Sequence, residues 1–379
     1  MSTRKSNGPG IATRVFGSQW FVSVLAVLIA FAIGAILIAL SGASVLDAYY
    51  AMFRGSIVDP NAANAVRMIK PLTDSLFYSI PLIISGLGLA LGFRAGLFNI
   101  GGKGQIIVGA LAAVWVGFAV SLPPVVHTLV ALLVAVIAGG LYGGIAGVLK
   151  AKTGANEVIV TIMLNSIATL GLGYTLAQKA WQVPGTNQPV TPKVADSAAF
   201  ARLLPAPFKL HVGFLVALVA LVAFWWLIER STLGFQIRAV GANAAAARTA
   251  GISVERITAI TMVLSGAFLG LAGANEALGT IGYVSRDVAG SIGFDAITVA
   301  LLGRNKTWGT FGAGLLFGAF KAGGYTMQAK GVPIDMILIL QSVIVLLIAA
   351  PALVRWLFRL PDVRALAANT RKGNADEHK

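Results

Sequence analysis

The sequence has no cysteine and little charge. The absence of cysteine from 379 residues excludes disulfides, thiolate metal sites and cysteine nucleophiles. The three histidines, His127, His211 and His378, lack the spacing of a metal site, and no nucleophile–base constellation is visible. The sequence therefore predicts no metal, no cofactor and no catalytic residue. Only 11% of the residues are charged, against about 25% in soluble domains, which excludes a soluble globular enzyme.

The sequence consists largely of long apolar runs. We place them at 20–40, 72–93, 104–121, 125–149, 157–178, 212–229, 257–283, 291–303, 307–327 and 334–354. A spanning helix needs about 20 residues, so 291–303 is short and predicts a half-helix or a re-entrant segment. The sequence predicts an all-α, polytopic membrane helical bundle of about 9–10 transmembrane helices.

The net charge of +15 could indicate nucleic acid, but its distribution argues against such a partner. Most Lys and Arg residues fall in alternate short loops between apolar runs, as the positive-inside rule requires. The pattern predicts a multi-pass protein surrounded by lipid in the inner (cytoplasmic) membrane, with both termini in the cytoplasm. We divide the chain into a cytoplasmic tail (1–19), a transmembrane domain (20–355) and a second cytoplasmic tail (356–379).

Two segments predicted to lie on the outer side of the membrane are long, 41–70 and 179–209. The second holds five prolines, which prevent a regular helix throughout. Such a loop is either a passive cover over the bundle or a landing surface for a soluble partner.

One predicted helix, 157–178, carries a polar stripe. Glu157, Thr161 and Asn165 are spaced i, i+4 and i+8, which keeps them on one face, just after Asn156. A polar face in a membrane helix borders the bundle interior or a water-filled path. The structural alternatives are hydrogen bonds between helices and, for Glu157, a favourable interaction of the carboxylate with the dipole at the helix N-terminus.

A second polar stripe follows the predicted helix 257–283. Its members are Thr258, Thr261, Ser265, Asn275 and Glu276. Gly266, Gly270 and Gly273 share a different face, and Gly314 and Gly318 share a face of a later helix. Because glycine lets membrane helices approach closely, we interpret both glycine sets as packing seams.

The stretch "GLFNIGGKGQ", residues 96–105, joins the second and third apolar segments. Glycine-rich interruptions at membrane depth can expose backbone groups to a solute. The stretch does not match a phosphate loop, because Gly104 rather than Ser or Thr follows Lys103. If ATP drives this protein, another chain binds the ATP.

Residues 230–253 are predicted to lie in the cytoplasm between two membrane helices. Asn243 can cap a short helix over 244–250, which is rich in alanine, and Gly251 can end it. Its small side chains suit insertion into a groove of a partner protein. A plain amphipathic loop is the alternative.

Four motifs together resemble the permease subunits of bacterial ABC importers. They are "GLFNIGGKGQIIVGA", "NEVIVTIMLN", "RAVGANAAAARTAGI" and "GFDAITVALLG" with the following "WGTFGAGLLFGAF". The resemblance runs from about residue 70 to 350, in the branch shared by ribose-type and nucleoside permeases. The first two motifs look most like the nucleoside type.

This resemblance implies a function, partners and site residues. It makes 241–253 the coupling helix that docks on an ATPase, with Gly241, Asn243, Ala246, Ala247, Ala250 and Gly251 as its residues. It lines the substrate path with Asn99, Gln105, Asn156, Glu157, Thr161, Asn165, Ser265, Asn275 and Glu276. The implied partners are the ATPase subunit, a second homologous permease and a substrate-binding lipoprotein or periplasmic protein. One departure is Lys103, where the family commonly has an acidic residue.

Other functions stay open on the sequence alone. The same neutral side chains would suit a simple sugar or riboflavin as well as a purine nucleoside. A secondary transporter or channel is the alternative of a different class, and it would need buried carboxylates. Asp295 and Glu276 are the only deep ones. Such a protein would have no use for the alanine-rich helix.

Overall fold

The computed structural model describes residues 19–333 and the isolated positions 336, 338, 339, 342, 343, 346, 347 and 358. The described residues form helices and no β-strand. The helices are α1 (Gln19–Leu40), α2 (Val45–Ser56), α3 (Ala65–Arg94), α4 (Gly102–Ala119), α5 (Val126–Thr153), α6 (Glu157–Ala177), α7 (Gly213–Trp225), α8 (Thr232–Ala242), α9 (Ala244–Thr249), α10 (Val254–Asn275), α11 (Ile292–Leu302) and α12 (Thr307–Gln328). Single π-helical turns extend α7 over Trp226–Arg230 and α10 over Glu276–Thr280.

The chain divides into two compact units. One comprises Met1–Tyr49 with Met327–Lys379, and the other comprises Tyr50–Thr326. In the first unit the Tyr49 hydroxyl donates to the Phe31 carbonyl, and the two rings meet edge to face with centroids 5.4 Å apart. All the candidate site residues lie in the second unit.

The predicted apolar segments before residue 330 coincide with helices, so the all-α polytopic bundle is confirmed. Among the described residues, six helices are long and apolar enough to cross a membrane: α3, α4, α5, α6, and α7 and α10 with their π-turns. The prediction of a short segment at 291–303 is also confirmed, because α11 has only 11 residues. The segment 334–354 and both predicted tails lie almost entirely outside the described residues.

Two helices were not predicted. Helix α2 occupies part of the long segment 41–70, and α8 occupies part of 230–253. Both are short and carry charged or polar residues, so neither produces a long apolar run. Helix α3 begins before its apolar run does, where the Asn64 side chain accepts from the Arg67 amide at 2.9 Å.

The core of the second unit is built on close backbone contacts of α10. A Cβ added to Gly266 or Gly270 would overlap a carbonyl oxygen of α5, and one added to Gly273 would overlap a carbonyl of α4. A Cβ on Gly318 would overlap the Ser75 carbonyl of α3, and one on Gly314 would overlap the Ile83 side chain of the same helix. Both predicted glycine seams are therefore confirmed. Helix α3 is central, because 83% of its most apolar 18-residue stretch is buried. Helix α6 is peripheral, because only 28% of the corresponding stretch is buried.

The α10 seam gives a first test of stability. Gly270→Ala should destabilise the protein by about 1–3 kcal/mol, because the new methyl would overlap the Ala135 carbonyl. Gly171→Ala is the matched control, since a Cβ at that exposed glycine of α6 meets nothing within 4 Å. Thermal unfolding in detergent measures both variants. Equal melting temperatures would show that the seam tolerates a methyl group.

Candidate functional site

The polar face of α6 holds the glycine-rich loop, residues 96–105, whose last residues also form the first turn of α4. The Phe98 amide donates to Glu157 Oε1 at 3.3 Å, and the Ile100 amide donates to Thr161 Oγ1 at 3.3 Å. The backbone amides of a loop lack the regular hydrogen bonds of a helix or sheet. They need such side-chain partners, because an unpaired amide at membrane depth is costly. The sequence stripe thus faces the loop that follows α3.

Asn165 completes this contact with both ends of its amide. Its Oδ1 accepts from the Gly104 amide at 2.7 Å, and its Nδ2 donates to the Ile100 carbonyl at 2.9 Å. One side chain therefore bridges the loop and the first turn of α4. We call Glu157, Thr161 and Asn165 the α6 clamp.

A second set of polar side chains closes the other side of the loop. Asn99 Nδ2 donates to Gln105 Oε1 at 3.0 Å and to Ser265 Oγ at 2.9 Å. Asn99 Oδ1 accepts from Gln105 Nε2 at 3.2 Å and from the Gly101 amide at 2.9 Å. All three side chains are buried. The α6 stripe, the loop and Ser265 of the second stripe, predicted separately, therefore meet in one polar cluster, in which Glu157 is the acidic member and the other side chains are neutral.

The start of α6 serves structural needs as well. Glu157 Oε2 forms an ion pair with Lys150 Nζ at 2.5 Å, which joins the end of α5 to α6. The exposed Asn156 caps α6 by accepting from the Val158 amide at 2.9 Å. Thr161 also returns a hydrogen bond to the Glu157 carbonyl at 2.7 Å. Their predicted role in lining a path stays a prediction.

Asn275 and Glu276 do not join this cluster. They lie ten residues beyond Ser265, which is about 15 Å along a helix, at the π-turn that ends α10. Glu276 Oε1 accepts from Thr280 Oγ1 at 3.1 Å, and neither end of the buried Asn275 amide has a hydrogen-bond partner among the described residues.

Sequence reasoning missed the cation that faces Asp295. Lys321 Nζ on α12 lies 3.0 Å from Asp295 Oδ2, which also accepts from Ser291 Oγ at 2.7 Å. The signal was a lone lysine inside the apolar run 307–327, since an intramembrane charge requires a partner. The paired Asp295 weakens the case for a secondary transporter that uses this carboxylate as a free coupling group.

The predicted short helix at 244–250 is confirmed as α9. Asn243 Oδ1 accepts from the Ala246 amide at 3.0 Å, which is the predicted cap. At the other end Gly251 has φ +82°. Its amide donates to the Arg248 carbonyl at 3.0 Å, and the Ile252 amide donates to the Ala247 carbonyl at 3.0 Å. These two bonds form a Schellman motif, which fixes where the helix ends.

A shallow apolar groove separates α8 from α9. It encloses about 570 Å³, and residues that line it include Phe235, Ala239, Asn243, Ala246, Ala247 and Ile252. Ala246 and Ala250 are exposed, whereas Ala247 is only 4% exposed. Phe235 is 60% exposed, so a large aromatic ring stands at the edge of a surface of small side chains.

Residues 241–253, which we call the coupling segment after the role that the resemblance implies, contact the backbone at the end of α3. A Cβ on Gly241 would overlap the carbonyl oxygen of Arg94, the last residue of α3, and Gly96 lies against Gly241. The Arg94 guanidinium also donates through Nε to the Asn305 carbonyl at 2.7 Å. Gly241 of α8 therefore lies in direct backbone contact with the end of α3 and with the start of the glycine-rich loop.

Comparison with known proteins places the chain in a family. Residues 72–349 match the family model described as branched-chain amino acid transport system / permease component. The guanosine ABC transporter permease protein NupP of Bacillus subtilis is 40% identical over 89% of this chain and 95% of its own length. The nucleoside ABC transporter permease protein NupB of Lactococcus lactis is 32% identical over 92% and 95%. The glucose ABC transporter permease protein TsgB13 of Haloferax volcanii is 35% identical over 85% of each chain.

No solved structure matches the chain at a significant level. The family match covers most of the chain, and the long relatives agree with it. The helices provide the multi-pass membrane architecture that a transport subunit needs. The chain therefore belongs to the family of branched-chain amino acid transport system permease components and is a multi-pass membrane permease subunit.

Proposed function

We propose that this chain is a permease subunit of an ATP-driven ABC importer that carries nucleosides, with purine nucleosides preferred. The observation that carries the proposal is the 40% identity, over 89% of the chain, to a permease named for guanosine. The polar cluster suits the proposal as a group that shapes an uncharged path, because its amides already bond to one another or to loop backbone and position that loop.

A simple sugar is the second candidate solute, because the glucose permease relative is 35% identical over 85% of the chain. A probable riboflavin permease of Treponema pallidum is more distant, at 26% over 79%. Nucleosides, sugars and riboflavin all carry several hydroxyl groups, so the polar cluster around Asn99 and Asn165 alone discriminates weakly among them.

Two relatives in one organism support a second, homologous permease as a partner. Bacillus subtilis has guanosine permeases 40% and 29% identical to this chain, and Lactococcus lactis has nucleoside permeases 32% and 27% identical. In each pair, this chain is more similar to one permease than to the other. The remaining proposed partners are an ATPase subunit and a substrate-binding lipoprotein or periplasmic protein, which would deliver the solute on the outer side.

The coupling segment is the proposed docking site for the ATPase. Its small side chains let a partner surface close around α9, and the groove beside Phe235 offers apolar area. The proposed orientation, with both termini in the cytoplasm, rests on the Lys and Arg distribution.

The proposed mechanism runs from the coupling segment to the loop. Binding and hydrolysis of ATP by the partner displace α8 and α9, and Gly241 passes the displacement to Arg94 through backbone contact. The glycine-rich loop then shifts relative to the α6 clamp, which opens or closes the path beside Asn99 and Asn165.

Uptake by cells that carry the complete transporter tests the function. We expect radiolabelled guanosine and adenosine to enter and to compete with each other, with ribose failing to compete. The control is the same transporter with an ATPase whose phosphate-loop lysine is replaced, which should import nothing. Competition by ribose or glucose, or uptake of riboflavin in place of nucleosides, would contradict the proposed solute.

A further inference from the structure

A buried amide without a partner lies at the end of α10 opposite the coupling segment. The Asn275 side chain is fully buried, yet neither Nδ2 nor Oδ1 has a hydrogen-bond partner among the described residues. The Glu276 carboxyl interacts electrostatically with this amide, but no contact between the two side chains meets the geometry of a hydrogen bond. Native proteins satisfy nearly all buried polar groups, so an unpaired amide of this kind indicates a ligand or water partner.

His211 presents a second unpaired group beside Asn275. Burial lowers the pKa of His211 to about 4, so the ring is neutral near pH 7. Its Nδ1 accepts from the Gly213 amide at 3.1 Å, which places the ring proton on Nε2. Nε2 has no partner among the described residues and is therefore a free donor.

A glycine backbone brings the two groups together. A Cβ on Gly213 would overlap Asn275 Oδ1 and would lie 2.6 Å from His211 Nδ1. A Cβ on Gly279 would lie 2.7 Å from both His211 Nε2 and the Phe200 ring. The absence of side chains at these two positions is what lets the imidazole and the amide share one site.

Two phenylalanine rings pack against His211. The His211 ring lies 5.4 Å from the Phe77 ring, nearly perpendicular to it, and 5.5 Å from the Phe200 ring. Phe77 comes from the central helix α3, and Phe200 comes from the long segment before α7. The site therefore combines two aromatic rings with one amide acceptor, three N–H donors and the neighbouring Glu276 carboxyl.

This combination matches the edge and faces of a purine base. A side-chain amide recognises a purine through a paired donor and acceptor, and aromatic rings recognise unstacked bases through their faces. A free sugar would use several hydroxyl partners and has no planar face. We propose that Asn275 and His211 form a recognition subsite for the purine base of a nucleoside, with Phe77 and Phe200 as its walls. This inference rests on the proposed nucleoside function.

The test separates this subsite from the receptor, which would set the KM of uptake. We therefore compare maximal uptake rates at saturating guanosine and adenosine, together with binding of labelled guanosine to the purified permease complex without receptor. Asn275→Asp replaces two donors with an acceptor, which opposes the guanine O6 acceptor but tolerates the adenine amino group. We expect the guanosine-to-adenosine rate ratio to fall about tenfold and guanosine binding to weaken.

His211 supplies a second variant that keeps the inference testable if Asn275→Asp does not fold. His211→Ala should lower the guanosine rate, and His211→Gln, which can place an N–H donor near the Nε2 position, should restore part of it. Ser166→Ala on the exposed face of α6 is the control. Unchanged rate ratios and unchanged guanosine binding in variants present at wild-type amounts would overturn the subsite while leaving nucleoside transport standing. A wild-type complex that imports no nucleoside would overturn the proposed function and the subsite together.

Discussion

Replacing Gly251 with valine should reduce uptake about tenfold, the change that corresponds to about 1.4 kcal/mol. ATP hydrolysis should continue, but it should no longer respond to the loaded receptor. The reason is backbone conformation: Gly251 has φ +82°, and a β-branched residue is strongly disfavoured there. The strain of about 1–3 kcal/mol is relieved if the Schellman motif opens, which would tilt α9 away from its docking position.

Two matched substitutions separate coupling from general damage. Gly251→Asn should be tolerated, because asparagine adopts the left-handed conformation more readily than valine and no atom lies within 4 Å of the added Cβ. Gly154→Val imposes similar strain at the end of α5, where φ is +71° and the surroundings are equally open. We expect its effect on uptake to be much smaller. Equal losses in Gly251→Val and Gly154→Val would argue against a specific coupling role.

The absence of cysteine allows a direct measurement of docking. A single Ala246→Cys should crosslink to a cysteine placed in the ATPase cleft, and ATP should change the yield. Adding Gly251→Val should lower that yield. If Ala246→Cys reacts instead with an impermeant thiol reagent outside intact cells, both the orientation and the coupling role are wrong.

The helices and their polar faces could be predicted because their signals are local. An apolar run of sufficient length identifies a spanning helix, and the spacing of Glu157, Thr161 and Asn165 identifies one face. Asn243 and Gly251 carry capping signals that depend only on adjacent residues. Each of these features is decided within a few turns of chain.

What those faces meet could not be predicted in the same way. Periodicity shows that a stripe is polar, but it does not show that Asn165 reaches a loop 61 positions earlier in the chain. Helix α8 has a weak apolar signal, because Thr232, Gln236 and Arg238 interrupt it. His211 and Lys321 are single residues outside any periodic pattern, and only the tertiary contacts show which groups they meet.

Asn165→Leu should both destabilise the permease and abolish most uptake. The substitution leaves the Gly104 amide and the Ile100 carbonyl without their partner, at a cost of about 1–3 kcal/mol for each group. Both groups lie in the loop that the other clamp residues hold by only one bond each. Thermal unfolding in detergent and nucleoside uptake in cells, at matched protein amounts, measure the two effects.

The neighbouring residue provides the control, and a second substitution shows which hydrogen bond matters. Ser166→Leu makes a similar polar-to-apolar change on the exposed face of the same helix and should alter neither measurement. Asn165→Asp keeps an acceptor for the Gly104 amide but turns an oxygen toward the Ile100 carbonyl, so it should remain destabilised. A residue that only lines a path would lose uptake on substitution by leucine while keeping its melting temperature. Loss of both uptake and thermal stability in Asn165→Leu and in Asn165→Asp would instead show that Asn165 positions the loop on which the path depends.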